Sequence, residues 1–183
     1  MVVISEGGDL LLWRGNDPAT TIDGNAFELV GSFYIGPVPR GRRIVSEHGG
    51  DLLVLSTYGL IPLSQIIAGM PSLADVAVSY KVEPLINQRM ESTINSYGWE
   101  VKFAPITRSV IVQSPKGSNL IDVQYIYNTT LKAWTTWSVT GAVTWETWNN
   151  QQFMGRNDGR LFYRNGNIDN NLLDDSEEPQ AID

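Results

Sequence analysis

Cysteine is absent from this chain of 183 residues, and histidine occurs once, at His48. Without cysteine there is no disulfide framework, no thiolate nucleophile and no cysteine-held metal. With one histidine, any imidazole-dependent mechanism must run through His48, and a multi-histidine metal site is excluded. Basic residues are also scarce: 13 Lys and Arg face 20 Asp and Glu, for a formal charge of −7. A duplex-binding surface works by releasing counterions to clustered cations, so sequence-specific nucleic-acid binding is not expected. No apolar run reaches the roughly 20 residues that span a bilayer. The opening MVVISEGGD lacks the basic start and apolar stretch of a secretion signal. No membrane association is expected. Phosphate-loop and dinucleotide-binding fingerprints are missing as well, and no cofactor is expected.

What the chain has is aromatic and turn-forming. Six Trp, seven Tyr and five Phe favour strands and rigid packing, while 17 Gly and 9 Pro punctuate short segments. It also repeats itself. GGDLLLWRGND from Gly7 is answered by GGDLLVLSTYG from Gly49, and Val3-Ile4-Ser5-Glu6 by Ile44-Val45-Ser46-Glu47, with His48 as the one inserted residue. The first unit reads as strands at Val2–Ser5, Asp9–Arg14 and Phe27–Ile35. The second reads as strands at Arg43–Ser46, Asp51–Thr57 and Leu60–Ser64, each bounded by Gly, Asp, Asn or Pro. Units of about 40 residues with three or four short antiparallel strands are what β-propeller blades look like.

The texture then changes. From Pro84, the apolar residues Leu85, Ile86, Met90 and Ile94 are spaced three to four apart, and the spacing predicts a helix over Glu83–Ser96 with Gly98 as its stop. Strands resume at Glu100–Pro105, Ser109–Gln113, Ile121–Asn128 and Ala133–Val139. A hairpin turning at Asn149-Asn150 follows, and another turns at Asn157-Asp158-Gly159 before RLFYR. Gly159-Arg160-Leu161 matches Gly50-Asp51-Leu52. The expected fold is mainly β, a propeller or partial propeller of about four blade-like antiparallel units with one helical insertion. The divisions are 1–70 for two units, 71–98 for the insertion, 99–168 for two further units and 169–183 for an acidic flexible tail. The insertion either docks a partner or plugs an open blade edge.

Chemistry-bearing groups are thinly spread. His48 lies in the turn SEHGGD, beside Glu47 and Asp51. Asp9, Asp17, Asp23, Asp51, Glu100 and Asp122 are the carboxylates available for a paired glycosidase mechanism. Asp9 and Asp51 recur at equivalent repeat positions, which points to turn stabilisation through backbone N–H groups. The loop NDPATTIDGN lacks the alternating ligands of a calcium loop. Trp134 and Trp137, like Trp145 and Trp148, are three apart, so within each pair the two rings face opposite sides of a strand. Asn128-Thr129-Thr130 reads as a turn. No catalytic or metal-binding residue is expected. Arg40, Arg42 and Arg43, with Arg89 on the insertion, are the candidate partner contacts.

Several phrases in order, YGLIPLSQII, YKVEPLI, GWEVKFAPITRSVIVQSP, YIYNTTLKAWTTWS and FMGRNDGRLFYRNG, resemble the β-propeller-type structural proteins of tailed bacteriophages. That group includes packaged-DNA stabilisation and tail-tube or nozzle proteins. The resemblance spans roughly Leu52 to Gly166 and rests on Tyr127-Asn128-Thr129 through Trp134 and on Phe153-Met154-Gly155 through Leu161-Phe162-Tyr163. It implies a non-enzymatic virion component at the head–tail junction or tail, serving assembly or retention of packaged DNA. Its implied partners are portal or tail proteins or further copies of itself, in the virion or in the host cytoplasm during assembly. Members are usually much longer, which implies that this chain is part of a larger propeller. The alternatives are a carbohydrate-binding or glycosidase-like propeller and a generic protein-interaction propeller.

Overall fold

The computed structural model describes residues 1–15, 27–41, 43–116, 122–139 and 141–164. The chain divides into two compact units, Met1–Tyr97 and Gly98–Asp183. It is mainly β, and the described residues form four small antiparallel sheets without a closed barrel or propeller.

The first unit holds two three-stranded meanders. β1 (Val2–Ile4), β2 (Asp9–Gly15) and β3 (Phe27–Tyr34) make one; β4 (Val45–His48), β5 (Asp51–Ser56) and β6 (Gly59–Pro62) make the other. The repeated phrase builds a different turn each time. In the first copy Ser5 N–H donates to Asp9 O at 2.8 Å, and a three-residue loop, Glu6-Gly7-Gly8, closes with Gly8 at φ +97°. A Cβ on Gly8 would also stand 2.2 Å from Gly36 O, so only glycine fits there. In the second copy the extra residue, His48, moves the loop to the two residues Gly49-Gly50, at φ +62° and +80°. Both positive angles mark the mirror-image turn whose twist suits a two-residue hairpin. Glu47 and His48 therefore extend β4 past the Ser46 expected as its end, pairing with Leu52 and Asp51. His48 is a strand-end residue, not a turn residue.

Leu53, Val54 and Leu55 are all buried, so β5 is covered on both faces. The chain continues as α1 (Leu63–Ile67), α2 (Leu73–Val76) and α3 (Glu83–Thr93). α1 lies against β5 and β6, and α2 and α3 against β6. The sequence had suggested a strand over Leu60–Ser64; it stops at Pro62 because α1 starts there. Pro62 caps the helix without a side-chain bond. Asp51 supplies what is missing: its carboxylate accepts the Ser64 N–H at 3.1 Å and the Ser64 hydroxyl at 2.6 Å. After α2, Val78 N–H donates to Leu60 O at 2.9 Å, and Ser79 Oγ accepts the Leu60 N–H at 2.8 Å. The insertion thus covers backbone groups of β6, an edge strand.

The second unit is a four-stranded meander of β7 (Glu100–Ala104), β8 (Ser109–Gln113), β9 (Gln124–Asn128) and β10 (Ala133–Trp137). A three-stranded one follows, of β11 (Ala142–Trp148), β12 (Gln151–Arg156) and β13 (Leu161–Tyr163). Every residue of β8 is buried. Ala104, Ile111, Ile126, Ala142, Trp145, Met154 and Phe162 form the core, with Trp137 packed against it. Asn149 and Asn150, at φ +46° and +61°, make the same kind of two-residue turn as Gly49-Gly50. Arg156 and Arg160 flank a three-residue loop ending in Gly159 at φ +86°, which repeats the Glu6-Gly7-Gly8 solution.

Candidate interaction surfaces

Four of the carboxylates singled out in the sequence, Asp9, Asp51, Glu100 and Asp122, are held in structural bonds. Asp9 Oδ2 accepts from Ser5 Oγ at 3.1 Å, and Asp51 accepts from Leu52 N–H at 2.8 Å besides its two bonds to Ser64. In the second unit Glu100 is 3% exposed and takes the Trp145 N–H at 3.1 Å. The indole Nε1–H of Trp145 donates to Gln113 Oε1 at 2.8 Å, and Glu100 and Gln113 are opposite each other in the β7–β8 ladder. Asp122 Oδ2 receives the Gly141 N–H at 2.7 Å, while Gln124 brackets Val139 through its Oε1 and Nε2. These buried polar side chains tie β11 and the approach to it onto the four-stranded sheet. Asp17 and Asp23 lie outside the described residues. No group of three or more His, Asp or Glu among the described residues is placed to hold a metal ion. Among the same residues, no helix is long and apolar enough to cross a membrane.

The four arginines fare differently. Arg40 is exposed and pairs with Glu6 at 2.6 Å, and the hydrogen bond and charge of that carboxylate raise its pKa above the ordinary guanidinium value. Arg43 is exposed, and Arg42 lies outside the described residues. Arg89 corrects the sequence reading. It is 7% exposed, on the stripe of α3 formed by Ile86, Arg89, Met90 and Thr93, so it is not a surface contact. Leu85, assigned from its spacing to the apolar face, is 52% exposed instead.

Two surfaces in the first unit were not read from the sequence. One is a groove of about 470 Å³ with a mixed polar and apolar lining, formed by Phe33, Tyr34, Tyr58, Ile66, Met70 and Leu73 among others. No Asp, Glu, His, Lys or Arg among the described residues lines it. Its walls come from β3, the β5–β6 turn and the segment from α1 to α2, so no local motif announces it. The other is β3, which among the described residues pairs with β2 alone and exposes Phe27, Leu29, Val30 and Tyr34 at 46–57%. The apolar residues of FELVGSFY, three of them aromatic, were the available signal.

In the second unit Trp148 is 69% exposed, with its ring centroid 6.2 Å from that of Phe153, which stands 6.5 Å from Tyr163. These three cross-strand neighbours form an aromatic row on the face of β11, β12 and β13 opposite Trp145, Met154 and Phe162. The opposite-face reading of the tryptophan pairs holds here, since Trp145 is 4% exposed. Trp137 packs on Trp145 at 6.0 Å, and Trp134 lies 5.1 Å from Tyr127, directly across the β9–β10 ladder. Asn128 Oδ1 accepts the Thr130 and Leu131 N–H groups, making the turn expected of that phrase.

Compared with protein-family models, curated proteins and solved structures, the chain has no match.

Proposed function

We propose that this chain is a non-enzymatic structural module of a tailed-bacteriophage or prophage virion, a partial propeller serving head–tail or tail assembly and retention of packaged DNA. One observation carries the reading: four antiparallel meanders follow one another in chain order, each with three or four strands and no crossover within it. That is the build of successive propeller blades. The two phrases behind the family resemblance are hairpins of this build, Tyr127 to Trp134 closing β9 onto β10 and Phe153 to Tyr163 closing β12 onto β13. Four of the carboxylates considered for a paired mechanism, Asp9, Asp51, Glu100 and Asp122, make turn and inter-sheet bonds, which supports a structural use for them. An acidic module lets DNA slide past, since like charges repel. The test is mass spectrometry of purified particles from a host carrying the gene. The chain at a fixed copy number beside portal or tail proteins is the expected result; its absence from particles refutes the role.

The aromatic row Trp148–Phe153–Tyr163 favours a second reading, a carbohydrate-binding propeller. Quenching of tryptophan fluorescence by oligosaccharides, abolished in Trp148→Ala, is the result that establishes it.

A further inference from the structure

We draw no further inference here: the strongest candidate, the aromatic face of β11, β12 and β13 that carries Trp148, Phe153 and Tyr163, supports none because nothing in the structure shows what covers it and the residues from 165 onward lie outside those described.

Discussion

Two side chains in the second unit show how burial without a partner differs from burial with one. Gln152 is 4% exposed, and neither its Oε1 nor its Nε2 has a hydrogen-bond partner among the described residues; the Thr147 hydroxyl across the ladder is in the same position. A buried polar group left unmatched costs free energy that an apolar group of similar shape does not. Gln152→Met is therefore expected to raise stability, by about 1 kcal/mol, read as a higher midpoint in urea at unchanged slope. Trp145 is the opposite case. Its indole N–H satisfies Gln113, which is 1% exposed. Trp145→Phe strands that acceptor and is expected to cost about 1–3 kcal/mol in the same experiment.

At the scale of elements, the turns were readable because their chemistry is local. Glycine and asparagine at Gly49-Gly50 and Asn149-Asn150 announce positive φ, and both pairs form hairpin turns. Nothing lies within 4 Å of a Cβ built on Gly49 or Gly50, so backbone conformation alone decides what they tolerate. Gly50→Val is expected to lose about 1–2 kcal/mol through left-handed strain. Gly49→Asn is expected to stay near neutral, since asparagine visits that region; chemical denaturation of the pair checks both. Helices were less legible. α1 and α2 are too short for a periodic signal, and α1 draws its cap from Asp51, far back in the chain. α3 was found, but its buried stripe carries Arg89 and Thr93 where apolar spacing had pointed to Leu85 and Ile94. Hydrophobicity periodicity misplaces a face when polar residues are packed into it.

On the scale of the whole molecule, the mainly β class, the repeat and the helical insertion came from residues close together in sequence. The groove and the Trp145 cluster did not. Phe33, Tyr58, Ile66 and Leu73 meet only after folding, as do Glu100, Gln113 and Trp145. The excess of acids, 20 against 13 bases, sets a further expectation. Labelled duplex DNA is expected to show no anisotropy change with the chain at low salt, the condition that most favours phosphate contacts. Tight binding there contradicts a role in which DNA passes without adhering.

An assembly module works by association, so the most direct measurement is the mass of the purified chain in solution, by light scattering across a concentration series. The expected result is a mass that rises with concentration from one chain to a defined multiple. A single-chain mass at every concentration contradicts self-assembly, leaving any assembly role to depend on a different protein.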